Sequence, residues 1–188
     1  VTKQVSFYEE MTNVPFIIAG PGIHPRQKPV EDLLTQPTID LLPTLCELAG
    51  IPVPSSKPGI SLAPFLKGEK QKRQHPYAAS EWHSEYEVTV SPGRMIRSPR
   101  YKYTHYLEGN GEELYDMLKD KGERRNLAHD PKYSKILAEH RALLDDYIRR
   151  TQDDYRSLKV EADKRWRSHV PGYPNHEGPC ARDIINRK

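Results

Sequence analysis

Residues Lys3–Gly22 read KQVSFYEEMTNVPFIIAGPG, and the fold assignment turns on how this stretch is taken. Ser6 followed three residues later by Glu9 has capping-box spacing, which predicts a short helical turn starting at Phe7. Asn13 and Val14-Pro15 end it. Phe16-Ile17-Ile18-Ala19 is then apolar at every position rather than every second one. That pattern predicts a strand buried on both faces, as in a parallel sheet covered by helices, stopped by Gly20-Pro21-Gly22. Its neighbouring strands are expected upstream of Val1. Left without them, the strand would be an exposed patch or a dimer contact.

Composition sets outer bounds. The 188 residues suit one domain or one and a fraction. Apolar content of 36 % and a mean hydropathy of −0.82 favour a modest core. Seventeen prolines, about 9 % against a usual level of about 5 %, are spread without a period and predict ordered loops. The net charge of +3 comes from interspersed signs, so nothing calls for nucleic acid. No stretch approaches the ~20 apolar residues of a membrane span. Cys46 and Cys180 form neither a disulfide framework nor a CxxC pair, and Cys46 is expected to be a small core residue.

Outward from the opening stretch, Thr38 is placed to cap a helix carrying Ile39, Leu41, Leu42, Leu45 and Leu48, with Gly50 as its stop and Pro43 as a kink. Ile60–Leu66 is an apolar turn expected to fold back on that helix, and the charged run Gly68–His75 marks a boundary. Beyond it, Tyr77–Trp82, Met95–Arg97, Tyr101–Tyr106 and Glu113–Asp116 predict three or four antiparallel strands in a meander, with His105 and Glu113 as a cross-strand pair. The Tyr101–Tyr106 strand is expected to be covered on one side. Asp130-Pro131 opens the longest helix, whose Tyr133, Ile136, Leu137, His140, Leu144, Tyr147 and Ile148 make one face. The expectation is an α+β fold: a small antiparallel sheet packed on a long C-terminal helix, preceded by a strand–helix remnant of an α/β domain. Its divisions are 1–70, 71–152 and an irregular tail, 153–188.

Several pieces, in order, resemble the C-terminal third of formylglycine-dependent sulfatases of the alkaline phosphatase superfamily. Lys3, Tyr8-Glu9, Val14-Pro15-Phe16 and Gly20-Pro21-Gly22 resemble the Lys…Tyr-Glu…Val-Pro segment. Asp40-Leu41-Leu42-Pro43-Thr44 resembles the Asp-x-x-Pro-Thr helix, and Gly59-Ile60-Ser61-Leu62 the Gly-x-Ser-Leu turn. Arg100–Tyr103, Glu113–Asp116, Glu123 and Asn126-Leu127 resemble the C-terminal subdomain, although Lys121 stands where Pro is usual after Asp120. The resemblance implies hydrolysis of sulfate monoesters, with a sulfated sugar or glycan as substrate. It also implies an N-terminal catalytic part of the same protein and Ca²⁺ bound by residues of that part, with no metal held by this chain alone. Periplasmic, secreted and lysosomal locations all fit it, and the sequence itself assigns no compartment. A phosphate-ester hydrolase of the same superfamily, and an independent carbohydrate- or protein-binding module, are the alternatives.

The family's nucleophile lies in a Cys/Ser-x-Pro-x-Arg motif. Cys46-Glu-Leu and Cys180-Ala-Arg do not fit it, and Ser56-Lys57-Pro58-Gly59-Ile60 lacks the Arg. The chain alone is therefore expected to be catalytically inert. By resemblance Lys3 is the lysine that meets the sulfate group, where a compact ammonium offsets charge building on the sulfuryl oxygens. The plainer use of Lys3 is an exposed surface lysine. His83 and Arg94 bracket the Ser84–Gly93 loop and are candidates for sugar contact; a surface His and a strand-end Arg are the commoner roles. His169, His176, Glu177 and Cys180 follow no standard zinc spacing, and Trp166 between two arginines is more simply a tail anchor than a sugar platform.

Overall fold

The computed structural model describes residues 6–25, 30, 33–56, 58–70, 75–82, 92–107 and 111–157. Its centre is a four-stranded antiparallel meander: β1 (Ala78–Trp82), β2 (Gly93–Arg97), β3 (Tyr101–Tyr106) and β4 (Glu112–Asp116), ordered as in sequence. The β2–β3 hairpin closes through Ser98, whose N–H donates to Tyr101 O (2.9 Å) and whose Oγ accepts from Tyr101 N–H (3.1 Å). The outer edge of β4 is covered rather than bare. Asn126 Oδ1 accepts from Leu114 N–H (3.0 Å), and Leu127 N–H donates to Leu114 O (2.8 Å). Such cover removes an edge on which another chain could pair.

One sheet face carries the main core. Ile96, Tyr101, Tyr103 and Leu114 meet Leu137 and Leu144 of α4 (Ser134–Thr151), with Tyr77 and Leu127 at the margins. Each buried leucine there contributes about 1.5–3 kcal/mol through removal of apolar surface from water. Asp130 accepts from Lys132 N–H ahead of a 3-10 turn at Pro131–Tyr133, so the predicted helix start is borne out. Gln152 ends α4 with a left-handed φ of 55°. The chain remains ordered past that point: Tyr155 is fully buried.

The opposite face is also covered, contrary to the one-sided sheet expected. Lys102, Thr104 and Tyr115 are buried there beneath Phe7 and Tyr8, with Phe7 stacked 5.8 Å from Tyr106 and Tyr8 6.5 Å from Tyr115. Gly93 makes this approach feasible, since a Cβ on it would sit 2.8 Å from both Phe7 Cε2 and Tyr106 Cδ1.

In the first 70 residues the described elements are helical: α1 (Glu9–Thr12), α2 (Pro37–Leu48) and α3 (Ala63–Leu66). The expected capping box is replaced by a distant cap. Ser6 makes no cap bond to α1, which starts at Glu9, and Glu123 Oε2 accepts from Glu9 N–H at 2.7 Å. Phe16–Ala19 takes no ladder partner among the described residues and forms no strand; Ile17 is 86 % exposed. The period of its sequence favours a strand, but an extended segment becomes one only beside another.

Helix α2 begins on Pro37 with Asp40 Oδ2 accepting from Gln36 N–H (2.7 Å), so Thr38 is inside the helix rather than its cap. It runs through Pro43 and ends before Gly50, at φ 70° as expected. Pro43 has no N–H for the Ile39 carbonyl, and Gly59 lies against that oxygen so closely that a Cβ would be 2.2 Å away. Buried Asp40 and Thr44 fold the 60s back on α2 as predicted: Ile60 N–H donates to Asp40 Oδ1 (2.8 Å) and Leu62 N–H to Thr44 Oγ1 (2.9 Å). Cys46 is half-buried. Across the expected boundary, His75 Nε2 lies 2.7 Å from Asp40 Oδ1 and Ala79 N–H donates to Gln36 Oε1 (3.0 Å).

Candidate functional site

Of the predicted site residues, Lys3 and His83 lie outside the described residues, as do Trp166, His169, His176, Glu177 and Cys180. Arg94 is placed, and it is 4 % exposed. Its Nε and Nη2 donate to Asp153 Oδ2 (2.5 Å) and Oδ1 (2.8 Å), and its Nη1 to the carbonyls of Trp82 (2.9 Å) and Gly93 (2.8 Å). The guanidinium also stacks 4.4 Å over Tyr155. Arg94 therefore ties the end of β1 to the start of β2 and to the segment after α4. Contact with a sugar would draw on a guanidinium already bidentate to Asp153. Asp153 and Tyr155 were not legible as its partners, because they fall where the helical period stops.

His105 does not face Glu113. The register sets His105 opposite Glu112 and Thr104 opposite Glu113, one residue from the expected pairing. Since successive side chains alternate faces, that single step sends Glu113 to the opposite side of the sheet. His105 Nδ1 lies 2.8 Å from the Tyr155 hydroxyl, and burial holds its pKa below the ordinary value. Glu112 accepts from Tyr103 Oη (2.6 Å) and pairs with Arg141, which brings its carboxyl down to about 2.

The strongest charge arrangement lies under α1. Lys102, the second residue of β3 and 0 % exposed, donates from Nζ to Phe7 O (2.8 Å). The same ammonium is 2.7 Å from Glu9 Oε1 and 2.9 Å from Glu123 Oε1, while Arg97 Nε is 3.7 Å from Glu9 Oε1. Glu123 adopts a left-handed φ of 50°, a conformation that costs energy for any residue but glycine. The sequence offered one hint, a lysine between two tyrosines in an otherwise buried strand. Such an ammonium must find partners or the strand cannot stay buried.

Glu113 faces the same region. Burial first, and repulsion from Glu123 second, push its carboxyl up to about 7, against an opposing pull from Lys102. An acid whose pKa is raised on folding binds a proton in the native state that the unfolded chain has lost. Its contribution is thus undiminished below about pH 4.5 and falls as pH rises toward about 7. Glu113→Gln is expected to be more stable than the parent by about 2 kcal/mol at pH 8 and by almost nothing at pH 4.5. Urea unfolding at both values checks this, and a pH-independent difference contradicts it.

Residues 3–150 match the family described as N-sulphoglucosamine sulphohydrolase, C-terminal. The chain belongs to that sulfatase family. It is 76 % identical over 188 residues to the Delta 4,5-hexuronate-2-O-sulfatase of Bacteroides thetaiotaomicron, covering all of this chain and 39 % of that protein. Human Arylsulfatase K is 33 % identical over 134 residues (66 % of this chain, 24 % of that protein). The structure superposes on a solved 2-O GAG sulfatase with a TM-score of 0.84 and 77 % identity, over 98 % of this chain and 40 % of that one. A protein solved with its substrate D-glucosamine-2-N,6-O-disulfate aligns at TM-score 0.55 and 27 % identity, over 62 % of this chain and 25 % of that one. The chain thus spans about two fifths of the length of the hexuronate sulfatase. The α+β architecture expected from the sequence is the architecture of this sulfatase region.

Among the described residues no group of three or more His, Cys, Asp or Glu is arranged to hold a metal ion. Among the described residues no helix is long and apolar enough to cross a membrane.

Proposed function

We propose that these 188 residues are the C-terminal part of a sulfuric ester hydrolase that removes sulfate from a sulfated sugar, with a 2-O-sulfated unsaturated hexuronate as the favoured substrate. The observation that carries this is the 76 % identity, over an alignment that covers all 188 residues, to a hexuronate-2-O-sulfatase. The nucleophile and any Ca²⁺ ligands belong to an N-terminal part of the same protein. The side of α2 bearing Leu41, Leu42 and Leu45, exposed together with Ile17, is apolar surface suited to packing against that part.

Within the proposal this chain contributes charge and framework. Lys3 sets its ammonium beside the sulfuryl oxygens, where negative charge grows as the S–O bond to the sugar lengthens. A compact ammonium suits this role because it needs no bidentate partner. His83 and Arg94 flank in sequence the stretch proposed to border the sugar, Arg94 being the second residue of β2. Residues 1–70 complete the catalytic domain, and 71–152 form the subdomain that braces it.

The test is sulfate release by the full-length protein from a 2-O-sulfated Δ4,5-unsaturated hexuronate, followed by ion chromatography beside the same sugar carrying phosphate at O2. Sulfate released much faster than phosphate is the expected result. Faster phosphate release would move the protein to the phosphate-ester branch of the superfamily, and release of neither would overturn the hydrolase assignment.

A further inference from the structure

We infer that Lys102 is a positioning residue for the sulfate-binding end of the chain, an inference that rests on the proposed role of Lys3. Lys102 belongs to β3, far in sequence from Lys3, yet its ammonium donates to the carbonyl of Phe7, four residues after Lys3. The same ammonium lies within ion-pair distance of Glu9 Oε1 (2.7 Å) and Glu123 Oε1 (2.9 Å). Glu123 in turn caps α1 by accepting from Glu9 N–H. Phe7 is therefore held through its carbonyl by the buried cation, and Glu9 through its carboxylate by the same cation and through its N–H by Glu123. Apolar packing adds a further restraint, because Phe7 lies on Gly93 and Tyr106.

Stability alone does not call for this arrangement. A buried ion pair loses to desolvation much of what it gains by attraction, and an apolar residue in its place is often no worse. What the ammonium provides is direction. It fixes the Phe7 carbonyl at one point on the sheet, four residues from Lys3 in sequence. Small misplacements of a catalytic group are costly for rate even where binding survives.

Two variants of the full-length protein separate positioning from folding. Lys102→Met removes the tether but leaves Glu9, Glu123 and Glu113 facing one another. Lys102→Met/Glu123→Gln relieves that repulsion while Gln still offers an oxygen to Glu9 N–H. The double variant is expected to melt near the parent temperature and to show faster hydrogen exchange at the amides of residues 6–12. Its kcat for sulfate release is expected to fall about 10- to 100-fold with KM within about threefold of the parent. Unchanged exchange at residues 6–12, or faster exchange with unchanged kcat, overturns the inference. Faster exchange in a protein whose parent form releases no sulfate upholds the tether and overturns the sulfatase assignment instead.

Discussion

Replacing Leu144 by alanine is expected to lower the unfolding free energy by about 3–4 kcal/mol. Leu144 is 0 % exposed, lies on α4, and belongs to the cluster with Ile96, Tyr103 and Leu114 of the sheet. Its truncation removes the transfer free energy of the lost methyl groups and leaves a cavity between two rigid layers. Neither layer can collapse into it easily: the sheet is covered on its other face by Phe7 and Tyr8, and α4 is fixed at both ends by Asp130 and by the Arg94–Asp153 pair. Leu118, 66 % exposed in the turn after β4, is the internal control. The same substitution there is expected to change stability by no more than about 0.5 kcal/mol. Urea unfolding of the two variants beside the parent checks the pair. Equal losses would mean that α4 does not close the core described above.

The two halves of the chain differed in how much their sequence disclosed. From Tyr77 to Gln152 the period of the apolar residues and the turn residues pointed to three or four strands and a helix; the structure has four strands within a residue or two, and a helix that opens on a 3-10 turn at Pro131. Those elements answer to local physics: β-branched and aromatic residues in short runs, Ser98-Pro99 at the hairpin, Asp130-Pro131 at the helix start. The failures involve contacts distant in sequence. No pattern near Ser6 could reveal that Glu123 would cap α1. Nor could the strand-like Phe16–Ala19 show that it would lie beside no other strand. The His105–Glu113 pairing missed by one residue because register depends on the β3–β4 connection, whose length alone does not fix it.

The site was legible in a different way. Lys3 is proposed through the resemblance of its surroundings, Tyr8-Glu9 and Val14-Pro15, rather than through any property of a lysine, and it lies outside the described residues. Arg94 looked like a free strand-end cation and proved to be bidentate to Asp153. Lys102 and Glu123 sat in plain view within segments that matched the family, but nothing local marked them as partners. A buried lysine reveals its purpose only when the Phe7 carbonyl it bonds and the Glu9 and Glu123 carboxylates beside it are seen together.

Those acceptors bear directly on Lys3. If a buried tether holds the chain that leads to this residue, the lysine itself should matter to the rate and hardly at all to the fold. Charge on the sulfuryl oxygens is larger in the transition state than in the bound ester, so an ammonium beside them acts mainly on kcat. Arginine is a poor substitute, since its broad planar head places its charge differently from that of a compact ammonium. The most direct measurement is kcat for sulfate release by the full-length protein carrying Lys3→Ala, with its melting temperature recorded alongside. A fall of about 10²–10³-fold with an unchanged melting temperature is predicted. A kcat within about threefold of the parent would contradict the assignment of this chain as the part that brings a charged group to the sulfate.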